Sequence, residues 1–284
     1  MIDLHTHSTA SDGSLPPAEL VDLAKKTGLK ALALTDHDTV AGIGEARRRA
    51  AELGLAFVPG VEIEIDFDPG EFHLLGLGID ETCGRLAEAL SLLADARTDR
   101  NERIVELFRS DGIPIDLEEI AEIAGTGRIG RPHLADALLR RRIVRTRQEA
   151  FDRFLGKGKP FYLPKDCLPF AKALDCIRTA GGIAVIAHPY SLFVSKPKLA
   201  ALMDEWKEAG VEGIEAYHPT AKLGQCRILE TMARDRGFLV TAGSDFHSRE
   251  KPECGLGRTA GGIPIEDSYW EALSLSLPGL PALT

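Results

Sequence analysis

His5 and His7 stand one residue apart at the end of the first apolar run, in MIDLHTHSTASDGS (residues 1–14). Side chains of an extended strand alternate between faces, so these two imidazoles leave from the same side and can grip one metal ion. An isolated His-x-His is equally a pair of surface histidines before a turn, so the rest of the chain has to decide. Further histidines recur at similar places. His37 ends a run in LTDHD, and His73 opens or interrupts one in EFHLLGLGI, after the turn DPG. His188 ends IAVIAH, His218 ends IEAYH, and His247 closes TAGSDFH. Carboxylates accompany them: Asp12, Asp36, Asp38, Glu62, Glu64 and Asp245.

Taken singly, a histidine on an apolar strand is more often a satisfied core residue than a ligand, and a carboxylate at a strand end is often a helix N-cap. The joint pattern reads differently. Five or six imidazoles and three carboxylates buried together without a cation would leave polar groups and like charges unsatisfied. Imidazole and carboxylate without thiolate suit Mn²⁺, Zn²⁺ or Fe²⁺, and are too rich in nitrogen for a plain Mg²⁺ or Ca²⁺ site. Such a set exceeds what one ion needs and suggests two or three ions bridged by a carboxylate and a hydroxide.

The elements that must position these groups alternate from the start. MIDLH (1–5), KALALTD (30–36) and AFVPGVEIEID (56–66) read as strands, with helical patterns over 16–28 and 42–54 that close at Gly28 and Gly54. The alternation returns with GGIAVIAHP (181–189), a helix over 196–209, VEGIEAYHP (211–219), a helix over 221–236 and FLVTAGSDFH (238–247). Strand, helix, strand implies right-handed crossovers with parallel pairing, and in barrels of parallel strands the polar residues at the C-terminal strand ends meet at one mouth. Residues 84–110 and 114–155 show helical periodicity with almost no β-type run, which predicts an inserted helical subdomain of about 70 residues. The expected organisation is a barrel domain over 1–95 and 165–284 with a small helical cap subdomain over 96–164. Across 128–153 eight arginines face three acids, a local charge of +5. A salt-bridged, solvated helix face explains most of these. Arg131, in GRPH, sits at a turn into a helix, where backbone N–H groups also favour an anion.

The whole chain, 284 residues with a formal charge of −9, would repel nucleic acid, which argues against duplex DNA as a partner. Phosphate-bearing substrates must be attracted locally. Five scattered cysteines, without a Cys-x-x-Cys pair, read as free thiols in a reducing compartment. Neither a signal peptide nor a membrane span is predicted, and the expected location is the cytoplasm.

DLHTHSTASDGS, LTDHDT, GVEIE, FHLLGLGID, AHP and SDFH occur in this order over residues 3 to 247 and resemble the motifs of the polymerase and histidinol phosphatase (PHP) superfamily. The resemblance implies a distorted (β/α)₇ TIM-like barrel, an α/β fold, with the helical subdomain inserted and a trinuclear metal centre at its mouth. His5, His7, Glu62 and Asp245 would bind the first ion, and Glu62, His73 and His188 the second. Asp12, His37 and His247 would hold the third, Asp12 standing where some members carry histidine. The insert entered through GRIGRPHLADAL, with the later YHP, resembles a bacterial group of 3′,5′-nucleoside bisphosphate phosphatases, some of which trim RNA 5′ ends.

The implied enzyme is a metal-dependent phosphoesterase that hydrolyses a phosphate monoester of a small nucleotide. The favoured substrate is a 3′,5′-nucleoside bisphosphate, giving 5′-AMP and phosphate, with Mn²⁺ the favoured metal and Zn²⁺ or Fe²⁺ as alternatives. Three divalent ions against three carboxylates leave positive charge suited to a bridging hydroxide as nucleophile and a phosphate dianion as target. Arg131 would contact a phosphate. His218 would contact phosphate or protonate the leaving oxygen, unless it is only a hydrogen-bonded rim residue. His133 would line the pocket or simply start a helix. Asp36 would orient the His37 imidazole or cap the following turn. Glu64 shares a face with Glu62, which is preferred as the ligand because it follows PGV. The rival readings are a 5′–3′ exonuclease on short 5′-phosphorylated RNA, a histidinol-phosphate phosphatase, an amidohydrolase and a non-catalytic metal-binding module.

Overall fold

Seven apolar runs form one sheet, and the amphipathic segments between them form helices. The elements are β1 (Ile2–Asp3), α1 (Pro17–Thr27), β2 (Ala31–Leu34), α2 (Ile43–Leu53), β3 (Ala56–Ile65), β4 (Phe72–Leu77), α3 (Gly84–Ser110), α4 (Leu117–Ala124), α5 (Arg131–Arg140) and α6 (Arg147–Ala150). They continue with α7 (Phe170–Thr179), β5 (Ile183–Ile186), α8 (Lys196–Ala209), β6 (Gly213–Tyr217), α9 (Leu223–Asp235), β7 (Leu239–Ala242) and α10 (Ser268–Ser276). This computed structural model describes residues 1–125, 129–164, 166–248, 255–277 and 279–283. Arg128 of the basic stretch and Cys254 lie outside the described residues. Cys83, Cys167, Cys176 and Cys226 are reduced.

The chain forms two compact units, Met1–Leu90 with Leu168–Thr284, and Ser91–Cys167. In the first, the strands follow chain order, β1 to β7, across the sheet. Pairing is parallel from β1 to β3 and from β5 to β7, whereas β4 runs antiparallel to both its neighbours. Thr6 bridges to Phe246, the His7 N–H donates to the Phe246 carbonyl at 3.0 Å, and the Asp245 N–H donates to the His5 carbonyl at 3.0 Å. The chain leaving β7 thus returns to the chain leaving β1 and nearly closes the barrel. The distorted seven-stranded α/β barrel expected from the sequence is present, with β4 as its distortion.

The apolar stripe of α1 (Leu20, Val21, Ala24) and the small face of α2 (Ala46, Ala50) pack on Leu32 and Leu34 of β2, all buried. α1 and α2 end at Gly28 and Gly54, both left-handed. α7 and α10 were not predicted. The second unit has its own core, in which Ile104, Val105 and Phe108 meet Ile120, Leu134, Leu138 and Val144. No helix among the described residues is long and apolar enough to cross a membrane.

Candidate metal centre

Strand polarity decides what reaches the mouth of the barrel. Parallel strands present their C-terminal ends, which places His5 and His7 after β1, His37 after β2, His188 after β5, His218 after β6 and Asp245 with His247 after β7. The antiparallel β4 presents its beginning, so His73 is its second residue, opposite Glu64 of β3 and adjoining β5 through Ala187 N–H, which donates to the His73 carbonyl at 3.1 Å. His188 and Asp245 hold left-handed backbones, φ 26° and 50°, a costly conformation for residues with side chains and one that clusters at functional sites.

Glu62, fully buried, lies at the middle. Its Oε1 is 2.8 Å from His73 Nδ1 and 3.1 Å from His188 Nε2. Its Oε2 is 3.0 Å from His37 Nδ1, 3.2 Å from His5 Nε2 and 3.3 Å from His7 Nε2. Despite these approaches, Glu62 Oε2 and His37 Nδ1 make no hydrogen bond of acceptable geometry, as if both aim at a shared point rather than at each other. His5 Nε2 and His7 Nε2 are 3.1 Å apart. Asp245 Oδ1 is 3.0 Å from His7 Nε2, and Asp12 Oδ1 is 3.3 Å from His247 Nε2.

Burial pushes the Glu62 and Asp245 carboxyls up, but the surrounding rings outweigh it, His73, His37 and His5 for Glu62, and His5, His218 and His7 for Asp245. Both stay well below the usual carboxylate range. Burial lowers His5 and His37, yet the carboxylates win and raise both, through Glu215, Glu62 and Asp245 for His5 and through Glu62 and Asp12 for His37. The cluster demands positive charge at its centre, which protons on the rings or divalent ions can supply.

Among the described residues, four sets of ligand atoms each lie within 4.8 Å of one another. One is His5, His7, Glu62 and Asp245; a second is His7, Asp12, His37 and His247; a third is His37, Glu62 and His73; a fourth is His188, His218 and Asp245. His218, expected at the phosphate or in the rim, is therefore in the cluster, with Nε2 3.2 Å from Asp245 Oδ2 and Nδ1 2.7 Å from Thr220 Oγ1. A hollow of about 240 Å³ opens among His37, His73, His188, His218, Asp245 and His247. Larger hollows exist in the helical unit, and one of about 490 Å³ is lined by Asp116, Glu118, Glu119 and Glu122 with Arg140 and Arg141, a rim ill suited to an anion.

Asp36 departs from its expected role. Its carboxylate accepts from Ser8 N–H at 2.7 Å, Ser8 Oγ at 2.7 Å and Ser11 Oγ at 2.6 Å. Adjacent residues of an extended chain point to opposite faces, so Asp36 turns away from the His37 ring and holds the turn after His7. Gly13 closes that turn with its N–H on the Ser8 carbonyl, 2.9 Å, and a Cβ there would stand 2.5 Å from the His7 carbonyl oxygen.

In the helical unit, Arg141 pairs with Glu119 at 2.7 Å, Arg153 with Glu149 at 2.6 Å, and Arg147 with Asp136. Those arginines are the solvated, salt-bridged face. Arg131, first residue of α5, sets its guanidinium 5.8 Å from the Tyr162 ring centre. His133 is a helix-start histidine, its Nδ1 accepting from the Gly130 N–H at 3.0 Å. Glu215 was missed by the sequence reading. It is buried in β6 with Oε1 3.0 Å from His5 Nδ1, and its only sequence signal is an acid in the middle of the apolar run VEGIEAYHP.

Comparison with known proteins shows the family. Residues 3–120 match the PHP domain model. The chain is 35% identical to a 5′–3′ exoribonuclease of Haemophilus influenzae over 86% of this chain and 89% of the relative. It is 32% identical to a 3′,5′-nucleoside bisphosphate phosphatase of Chromobacterium violaceum over 96% of each. A solved structure from Chromobacterium violaceum, described as an amidohydrolase with bound sulfate and no metal, superposes with a TM-score of 0.84 at 31% identity, covering 96% of each chain. The chain belongs to the PHP-domain family of metal-dependent phosphoesterases.

Proposed function

We propose that the protein removes a phosphate from a small nucleotide that carries phosphates at both its 3′ and 5′ positions, releasing the 3′-phosphate to give 5′-AMP and phosphate from the adenosine substrate. The observation that carries this reading is the convergence of seven imidazoles, Asp12 and Asp245 around buried Glu62. His5, His7, Glu62 and Asp245 would hold one ion, Glu62, His73 and His188 a second, and Asp12, His37 and His247 a third. The family resemblance makes Mn²⁺ the favoured metal, while Zn²⁺ and Fe²⁺ also suit a thiolate-free set of imidazoles and carboxylates. Divalent ions there, when bound, supply Lewis-acid stabilisation of a phosphoryl group and acidify water.

The chain's own residues do the rest. Glu62 offers one oxygen to each of two groups of rings and so couples their positions. Asp36 anchors the turn that carries Asp12. His218, hydrogen-bonded to Thr220 and close to Asp245, would contact phosphate or give a proton to the leaving oxygen. Arg131 offers a bidentate cation at a helix start, the chemistry that recognises a phosphate, and is assigned to the substrate. His133, already spent on its helix start, is a weaker candidate for the substrate. The phosphatase relative aligned over nearly the whole chain supports the bisphosphate, and the neighbouring structure's sulfate has the shape and charge of phosphate.

The second reading, exonucleolytic trimming of short 5′-phosphorylated RNA, is supported by the exoribonuclease relative. Mn²⁺-loaded protein would be incubated with adenosine 3′,5′-bisphosphate, AMP, histidinol phosphate and 5′-phosphorylated oligoribonucleotides. Phosphate release from the bisphosphate with AMP left intact supports the first reading, and a ladder of mononucleotides supports the second. Turnover of neither nucleotide class refutes both.

A further inference from the structure

Glu215 is 1% exposed, and both of its oxygens are used. Oε1 lies 3.0 Å from His5 Nδ1, and Oε2 accepts from the backbone N–H of His188 at 2.9 Å. A carboxylate bonded on one oxygen to a backbone N–H has only acceptor capacity left for His5, so the ring proton sits on Nδ1. His5 Nε2 then points toward Glu62 Oε2 and Asp245 Oδ1, at 3.2 and 3.4 Å, where an ion would take the place of a proton on that nitrogen. The other contact fixes the backbone of His188 where it takes its left-handed φ of 26°. Two rings that arrive from strands far apart in sequence are therefore set by one side chain.

Gly243, after β7, is a second and independent sign that the fold reserves this space. A Cβ on it would stand 2.3 Å from the His5 Cβ and 2.5 Å from Glu215 Oε1, while its N–H holds β6 through the Tyr217 carbonyl at 3.1 Å. Neither approach is tolerable, so only glycine leaves room for the Glu215 and His5 pair.

We propose that Glu215 is a positioning residue of the metal centre, holding His5 as the Nδ1-protonated tautomer and His188 in its turn so that Nε2 of each is free to bind an ion. The inference rests on the reading of the cluster as a metal site. Glutamine at 215 has one acceptor where two donors need one. If its oxygen serves the His188 N–H, its amide N–H₂ faces His5 Nδ1 and favours the Nε2-protonated ring, which cannot bind metal through that atom.

The test uses the full-length chain and two variants that disturb opposite sides of the contact, Glu215→Gln and Gly243→Ala. Affinity for Zn²⁺ and Mn²⁺ is measured by competition with a chelating dye, and the His5 tautomer is read from imidazole ¹⁵N shifts in the Zn²⁺-loaded protein. Both variants are expected to bind the first ion roughly 10- to 100-fold more weakly, the usual effect of losing a partner that orients a ligand. Glu215→Gln is expected also to change the His5 nitrogen shifts. Parent affinity in either folded variant, or an unchanged tautomer in Glu215→Gln, overturns the proposal. A parent protein that binds no metal instead refutes the functional reading, and the absence of substrate from these measurements keeps the two failures distinct.

Discussion

Replacing Glu62 by glutamine keeps the buried volume but removes the charge that both ring groups share. Oε1 serves His73 and His188 at 2.8 and 3.1 Å, and Oε2 faces His37, His5 and His7 at 3.0 to 3.3 Å. An amide fills one of these two places with N–H donors, so at least one ion loses an anionic ligand and the other a share of it. Charged contacts of this kind contribute about 1.5–3 kcal/mol, which corresponds to roughly 10- to 100-fold in affinity per ion. At a metal concentration of about 100 times the parent Kd, binding stabilises the folded chain by about 2.7 kcal/mol. For a chain of this size that raises Tm by roughly 4–5 °C. A 100-fold weaker variant gains only about 0.4 kcal/mol at the same concentration, or less than about 1 °C. The assay is differential scanning calorimetry of chelator-treated parent and Glu62→Gln, without metal and with added Mn²⁺, together with metal analysis of the dialysed samples. The metal-free Tm of each protein is its own reference. A Glu62→Gln protein with the parent's metal-induced shift and metal content would refute the central place given to this carboxylate.

His188→Ala is expected to lower bound metal and phosphatase activity together, whereas Arg131→Ala keeps its metal and raises KM by roughly 10-fold or more, the contribution of one charge-assisted contact; steady-state kinetics alongside metal analysis separates them, and a parent-like KM removes Arg131 from the substrate. Asp36→Ala releases three hydrogen bonds to Ser8 and Ser11, so urea unfolding should show a loss of about 2–4 kcal/mol, and less bound metal because Asp12 follows Ser11; an unchanged midpoint contradicts the role given to Asp36. Burial pushes the Cys176 and Cys226 thiols above their ordinary range. Less thiolate at neutral pH means slower alkylation, so peptide mapping should find Cys83 and Cys167 labelled by iodoacetamide first, both being partly exposed; equal rates would contradict the burial.

The period-two rule explains what was legible in the sequence and what was not. It placed His5 and His7 on one face from their spacing alone. The same rule, applied to Asp36 and His37, would have separated them, yet their adjacency suggested a contact that the structure replaces with Ser8 and Ser11. Strand positions were readable from apolar runs, but strand direction is not encoded in hydrophobic period. For that reason β4 read only as a strand following the turn DPG, and its antiparallel course, which brings His73 to the mouth by its beginning, emerged from the pairing. Glu215 was hidden because its partners, His5 and the His188 backbone, lie 210 and 27 residues away. The charge count over 128–153 overstated the free positive charge, since Arg141 finds Glu119 outside that window.

The central claim is that the clustered imidazoles and carboxylates bind divalent ions and that phosphate ester hydrolysis depends on them. Chelator-treated protein titrated with Mn²⁺, with bound ions per chain and phosphate release from adenosine 3′,5′-bisphosphate followed in the same samples, tests it most directly. The account predicts that activity is absent at the start and rises with occupancy to a plateau at two or three ions per chain. Phosphate release that is undiminished in the chelated protein, or a chain that takes up no metal, would contradict it.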